Sequence, residues 1–575
     1  MPPVEPAADG IDEGKRLMRV GGDKGLSLAE RLADRLQALA WRTPLHDLRL
    51  RGRHPLKLIT VPEDPFVGDV ARGRALLDGV LALRGERREI ETIDLAKPDW
   101  SRSFSDYLHG FAWLRDLSTV ATRAQGAPIA ELLMRNWLAL HADKVTQPAW
   151  RADLWGWRIL HWSAHAPLIL SSSDLVYRSR VLNTLARGSR HLDRAADRVP
   201  AGPPRIAAWC GVTAAGLLIP GGDPRRTFGE AGLARALATS MFSDGGTVGR
   251  APAGQLAAIA ALTMLRATYA ARRLDAPAIV EETLAKLVPP LLGVCHGDKG
   301  LSSWQGGGPT PGLAIEAIVA ATGVRTRPLR QAREWGYQRV AAGPTILIID
   351  AAPPPIARLV EGGCASTLAF ELSDGPHRLV VNCGGARAAN IALPGALTEG
   401  LRTTAAHSTL IVADSNSTAI HPDGTLGKGV GEVELARSES DTVSRIEASH
   451  DGYVRRFGFI HRRVIAVGAD GRDVRGEDQL LPKGRKRMPA ETAFVIRFHL
   501  APNVEVARTA DGLAAVLRLP GNILWQFRSR GAALAIEESL WIDGDGRPHP
   551  SEQLVISGLA PPGGASVSWW FHRAK

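Results

Sequence analysis

The 575-residue chain contains no run of the roughly 18 apolar residues that a transmembrane helix requires, so no segment reads as a membrane span. Its start, MPPVEPAADGIDEGKR, is proline-rich and acidic. Without the apolar stretch of a signal peptide, the cytoplasm is the expected location, with the periplasm as the alternative. Cysteine is scarce: Cys210, Cys295, Cys364 and Cys383 lie far apart. That spacing excludes a disulfide framework and a cysteine-paired metal site, and the thiols read as buried. H-E-x-x-H, a nucleophile elbow and C-x-x-C are all absent, so zinc proteases and ordinary serine hydrolases find no support. The Gly-rich turn SDGGTVGRAP (243–252) has no Lys-Ser/Thr after its glycines. It is therefore a linker turn rather than a P-loop.

What is present is positive charge and apolar periodicity. The formal net charge is +11 and the pI about 9.8. Such a balance favours an anionic partner: a nucleic acid, an anionic membrane surface or an acidic polymer. An arginine-rich housekeeping composition is the bland alternative. No helix-turn-helix pattern or aromatic-basic RNA motif appears, so nucleic acid ranks last. At 45% apolar and 22% charged residues the chain is globular, and its length calls for two or more domains.

The period of the pattern changes along the chain. Residues 1–27 read as a flexible tail. Residues 28–335 carry helical stretches such as LAERLADRLQALAW, IAELLMRNWLALHADK and GQLAAIAALTMLRATYAARRL, apolar at i, i+3, i+4 and i+7. They suggest paired helices in an array or ring. From residue 336 to 575 the segments are short, β-branched and alternating, as in TLAFELS, STLIVAD, FGFIHRRVIAVG and AFVIRFHL, the pattern of a large antiparallel sandwich. The fold class is α+β multidomain, helices first and strands second, with the boundary near REWGYQRVAAG.

Several stretches carry titratable or aromatic chemistry, and each has a structural reading beside the functional one. The indoles of WRADLWGWRILHW (150–162) recur at near-helical spacing, which favours core packing over stacking on a sugar. ARGSRHLDR sets Arg190 and His191 among Arg187 and Arg194. It is either a solvated basic helix face or an anion-facing helix with one imidazole for proton transfer. The loop HGDKGLSSWQGGG (296–308) gathers His296, Asp298, Trp304 and Gln305, and loops of this kind can line a cleft. HDGYVRRFGFIHRRVI collects His450, Tyr453, Arg455, Arg456, His461, Arg462 and Arg463. Alternation puts His461 and Arg463 on one face and Ile460 and Arg462 on the other. A solvated edge is one reading of that strand, and a site for a carboxylate- or sulfate-bearing sugar the other. LRTTAAHSTLIVAD (401–414) places Arg402 and His407 before a strand, where His407 could fill a core, bind a metal or touch a substrate.

Taken in order, these features resemble the heparinase II/III-like family of polysaccharide lyases and their relatives. The carrying stretches are LRTTAAHSTLIVADSNS, ASHDGYVRRFGFIHRRVIAV, VRGEDQLL, FVIRFHLAPNVEV and LAFELSDGPHRLVVNCG, with weaker matches at GSRHL and SDGGTVGRAP. The resemblance implies an incomplete (α/α) toroid at 28–335, an antiparallel multi-layered β-sandwich at 336–575, and a polymer cleft between them. It further implies β-elimination on a uronic-acid glycan, acidic and sulfated where the relatives act on heparin or heparan sulfate. One group removes the C5 proton, another protonates the leaving oxygen, and positive groups stabilise the carboxylate.

Carried over by position, His407 is the cleft-facing histidine at a strand start, and its small neighbours read as room for a sugar. His191 is the residue that meets the uronate. Tyr453 is an acid/base candidate, and Arg190, Arg250, Trp304, Arg402, Arg455 and His461 are substrate-binding candidates. The lyases commonly carry an aromatic or histidine where Thr247 stands, with a tyrosine further along; here the next tyrosine is Tyr269. Some members also bind metal through a histidine two residues after the His407 position, which here is Thr409. No cofactor is expected, and a structural metal in the β-domain finds no support. The expected partner is an acidic poly- or oligosaccharide. The rival reading is a binding protein with the same cleft but no working tyrosine, linked to cell-envelope polysaccharide.

Overall fold

The computed structural model describes residues 11–19, 32, 36, 40–41, 43–52, 54–96, 99–356, 359–360, 362–389, 393–484 and 491–574. The expected helix LAERLADRLQALAW lies almost wholly outside them. Within the segment read as a tail, Arg16–Arg19 form strand β1, which joins the sandwich much further along the chain by pairing with Glu432–Leu435.

The first half is built of helices α1 (Pro44–Leu50), α2 (Val70–Leu77), α3 (Arg102–Gly110), α4 (Trp113–Val120), α5 (Arg123–His141), α6 (Ala152–Ala164), α7 (Leu175–Ala195), α8 (Pro203–Leu218), α9 (Asp223–Ser240), α10 (Pro252–Ala271), α11 (Ala278–Gly293) and α12 (Gly312–Thr322). A hairpin of β2 (Val80–Leu83) and β3 (Glu86–Glu89) interrupts them. Its turn places Arg84 and Gly85 at positive φ, as a two-residue hairpin connection demands.

Helix α8, starting at Pro203-Pro204, is apolar on every side and buried from Ile206 to Leu218, the signature of a central helix. It packs against α6, α9 and α10. The α6–α8 crossing is closed by glycines. A Cβ at Gly156 would lie 2.2 Å from the Ala207 carbonyl oxygen, and one at Gly211 would lie 2.5 Å from the Gly156 Cα. Two backbones approach this closely only without side chains. Gly156→Ala should therefore lower stability by about 1–3 kcal/mol, seen as a drop in the melting temperature. Gly400→Ala, with nothing within 4 Å of the added carbon, serves as a silent control. The indoles fill this core as the helical spacing suggested: Trp150, Trp155 and Trp162 are essentially inaccessible.

The second half comprises β4 (Tyr337–Ala342), β5 (Thr345–Asp350), β6 (Phe370–Asp374), β7 (His377–Val381), β8 (Leu410–Val412), β9 (Thr418–Ile420), β10 (Leu426–Gly429), β11 (Glu432–Glu439), β12 (Val443–His450), β13 (Phe459–Gly468), β14 (Asp473–Pro482), β15 (Thr492–Leu500), β16 (Glu505–Arg508), β17 (Ala514–Leu519), β18 (Ile523–Arg530), β19 (Ala533–Ile542), β20 (Pro548–Ala560) and β21 (Ala565–Arg573). Among the described residues one sheet runs β1-β11-β12-β13-β14-β21-β18-β17-β16 and the other β19-β20-β15-β7-β6-β5-β4, with β8 paired to β15. Their inner faces share one apolar core that includes Phe370, Phe498, Phe527, Trp569 and Phe571.

Strand β13 shows how alternation sets this layering. Phe459, His461, Arg463, Ile465 and Val467 are buried, while the residues between them are half-exposed. It lies inside the sheet between β12 and β14. The solvated-edge reading of FGFIHRRVIAV is therefore corrected, while the two-face assignment of His461 and Arg463 stands.

Candidate functional site at the domain junction

His407 follows a single 3-10 turn, Thr404–Ala406, and has extended backbone that leads into β8. Its Nδ1 donates to the Thr403 carbonyl at 2.7 Å, which leaves Nε2 as the basic nitrogen of the neutral ring. The ring is 1% exposed. The small neighbours are not room for a sugar. Ala406 is buried in an apolar cluster with Cys383, Leu393, Leu401 and Ile542. Ser408 is held at both ends, its N–H donating to Asn382 Oδ1 and its Oγ to the Val381 carbonyl.

Two buried carboxylates sit within electrostatic range of His407, and each ties the sandwich to the helical half. Asp350 accepts from Arg250 and from Ser366 Oγ. Glu371 accepts from His296 Nε2, the Ser303 N–H and Asn382 Nδ2, each at 2.9 Å. Burial lowers the proton affinity of His407, and the Thr403 bond and these two charges oppose it without reversing it.

The loop 296–308 is thus a fastener between domains rather than a cleft lining. Asp298 pairs with Arg378 at 2.8 Å. Gln305 bridges Ser366 Oγ and the Cys364 N–H. Trp304 is buried against Tyr337 and donates to Ser302 Oγ.

The other sequence candidates do not converge on His407. His191 is fully buried in α7, and among the described residues its hydrogen-bond partners come from the helical half. Its Nε2 donates to the Trp150 carbonyl at 3.0 Å, and its Nδ1 faces His46 Nε2 at 3.1 Å. Burial pushes its pKa down to about 3. Arg190 beside it donates to the Leu50 carbonyl.

Tyr453 is buried and donates to the Leu410 carbonyl at 2.9 Å. His461 is enclosed between His450 and Asp478. Arg402 donates twice to the Gly363 carbonyl. Arg250, at positive φ, is spent on Asp350 and the Trp335 and Pro353 carbonyls. Arg455 is exposed on the short helix Val454–Phe457.

Apart from Arg455, these residues are taken up by bonds within the fold. Thr409 Oγ1 is buried without a hydrogen-bond partner among the described residues. In the same set, no group of three or more His, Cys, Asp or Glu side chains is placed to hold a metal.

A cationic cluster at the same junction escaped the sequence reading. Arg84, at the tip of the β2–β3 hairpin, donates to the Arg387 carbonyl at 2.7 Å and to Ser103 Oγ at 3.2 Å. Arg387 lies 3.6 Å from Asp106, which Arg151 also contacts, at 2.6 Å. Arg84 has no carboxylate partner among the described residues, and burial, followed by the charge of Arg387, lowers its pKa. No local pattern could have announced the cluster, because its two sides lie about 300 residues apart in the chain.

Comparison with known proteins finds the same order of a helical half and an antiparallel sandwich. Residues 324–570 match the family described as "Heparinase II/III-like, C-terminal". The structure resembles the crystal structure of heparinase III with a TM-score of 0.68 at 14% identity, over 95% of this chain and 90% of that one. It resembles the heparan sulfate lyase HepC from Pedobacter heparinus with a TM-score of 0.56 at 14% identity, over 95% and 88%. In sequence, the chain is 28% identical over 554 residues to FtsZ-localized protein C of Caulobacter vibrioides (strain NA1000 / CB15N), covering 92% of each. The second half of the chain is thus similar to the heparinase II/III-like family, and the chain as a whole shares the fold of the solved heparinase III.

Proposed function

We propose that this chain is a non-cleaving relative of the heparinase II/III-like lyases, which holds an acidic glycan at the domain junction through Arg84 and its neighbours. One observation carries the reading. All five tyrosines are buried, and burial raises the pKa of each. Four donate to internal acceptors: Tyr107 to Asp116, Tyr269 to Glu230, Tyr337 to the Arg250 carbonyl and Tyr453 to the Leu410 carbonyl. Tyr177 packs beneath Arg135. A phenol shut away from substrate and hard to ionise serves neither step of an elimination.

The second reading, β-elimination on a uronic-acid glycan of the heparin or heparan sulfate type, is favoured by His407 alone, through the fixed basic Nε2.

One assay separates the two. Incubated with a panel of uronate polymers, the protein should give no rise in ultraviolet absorbance from an unsaturated product. It should still bind them, less tightly as salt increases, and Arg84→Ala should weaken that binding. A rise in absorbance that His407→Ala abolishes would restore the lyase reading. The name of the relative, FtsZ-localized protein C, supports one extension: this chain accompanies FtsZ and brings an envelope glycan to it. A fluorescent fusion should follow FtsZ in dividing cells, and a diffuse signal speaks against the extension.

A further inference from the structure

The outer face of the nine-stranded sheet carries a second feature, lined by none of the junction residues. A groove of about 660 Å³ crosses β13, β14, β21 and β18, floored by Val464, Ala466 and Ser568 and walled by Trp570, Arg475, Glu477, Arg528 and Arg530. Strand register explains the arrangement. Trp570 lies directly between Arg475 on β14 and Arg528 on β18, while Ser568 lies between Glu477 and Arg530. Alternation turns all of these side chains away from the core.

The indole is fixed: its Nε1 donates to Asp473 Oδ1 at 2.8 Å, and His572 Nδ1 donates to the same oxygen at 3.0 Å. The Arg475 guanidinium stands 5.8 Å from the indole ring centre. Glu477 is already occupied by Ser566 and Gln479. Among the described residues Arg475, Arg528 and Arg530 make no ion pair within 4.0 Å, so three exposed guanidinium groups flank one half-exposed indole, with Glu477 as the carboxylate of the lining and Asp473 behind the indole.

We infer that this groove binds an anionic saccharide, with one sugar ring lying on Trp570 and its carboxylate or sulfate groups paired to Arg475, Arg528 and Arg530. An exposed indole face suits the C–H face of a pyranose, and arginine forks suit planar or tetrahedral oxyanions. An acidic peptide fits less well. All four strands of the groove are paired on both sides, so none offers the free edge that strand addition needs. A single-stranded nucleic acid would want successive aromatic platforms, and here there is one indole. The site stands apart from the junction and does not depend on the reading given to it.

The test uses the full chain carrying Arg84→Ala, so that the junction contributes less, titrated by calorimetry with a heparin-derived hexasaccharide. A neutral cello-oligosaccharide, a poly-glutamate peptide and a single-stranded oligonucleotide are run in parallel. The hexasaccharide should bind best. Trp570→Ala should weaken it about tenfold. Arg528→Glu, at an exposed position that tolerates the change, should weaken it at least as much. Circular dichroism should show both variants folded. The inference is overturned if the hexasaccharide does not bind, if Arg528→Glu leaves its affinity unchanged, or if the peptide or the oligonucleotide binds more tightly.

Discussion

Acidifying the protein from about pH 7 to about pH 5 should unfold it cooperatively, with uptake of several protons. The cause is a set of histidines buried without charge. Burial, then the positive charge of Arg158, takes His109 down to about 2 and His141 to about 4. Burial likewise takes His161, His191 and His499 to about 3. Each has a hydrogen-bonding arrangement that suits the neutral ring; His109 Nδ1, for example, accepts from Trp137 Nε1 at 3.0 Å.

In the unfolded chain these rings titrate near 6.5, so above that pH both states are neutral and the full stability is present. Below it the unfolded state binds protons that the folded state refuses, and stability falls as pH falls. Each ring then costs about 2 kcal/mol at about pH 5. Five together reach about 10 kcal/mol, comparable to the whole stability of a domain. Carboxylates do not account for a loss in this window. Asp64 and Asp478 are also held below their ordinary values, by hydrogen bonds and by Arg115, Arg463 and histidine neighbours that outweigh their burial. Their contribution fades only at much lower pH, as they protonate. Urea midpoints measured across this range should fall steeply. Midpoints that stay flat down to about pH 5 would mean that the rings are not held neutral.

The architecture was legible because it rests on local periodicity, whereas the site rests on contacts between distant segments. The 3.6-residue pattern of α5, buried at Ala130, Leu133, Met134, Trp137, Leu138 and His141, and the two-residue alternation of β13 each follow from which face is buried, and both appear in a window of a dozen residues. His191 shows the opposite case. From its own helix, with Arg187, Arg190 and Arg194 around it, the face looks solvated and basic. What buries it is α1 and Trp41, about 140 residues earlier: His46 meets its Nδ1, and Asp47 takes Arg187. Trp304 likewise has the composition of a cleft loop, but Tyr337 and Ser302 enclose it. His407 stands out in the sequence as a titratable ring among small residues at the mouth of a strand. Its neighbours Asp350 and Glu371 carry no spacing signal, because strand order alone brings them together.

Asp478→Ala should cost about 3–5 kcal/mol, because it strips a buried cation of its counter-charge. Asp478 is 1% exposed and accepts from Arg463 Nε at 2.7 Å, Arg463 Nη2 at 2.9 Å, His461 Nε2 at 2.7 Å and Trp569 Nε1 at 2.8 Å. Arg463 is equally buried, lies over Phe370 and Trp569, and spends its remaining donors on the Leu368 and Ser408 carbonyls. The guanidinium therefore has no route to water once the carboxylate is gone. His461 loses its acceptor too, which loosens its contact with His450 at 3.2 Å. The double variant Asp478→Leu/Arg463→Met removes both charges and should recover most of the loss, since apolar side chains of similar volume replace a buried ion pair at little cost. Because Arg463 fixes the Ser408 carbonyl, the double variant should still leave the segment after His407 less firmly held, seen as faster amide exchange there. Melting curves of the two singles and the double form a cycle. A single-variant loss below about 1 kcal/mol would put the pair in the class of exposed ion pairs and contradict its place in the core.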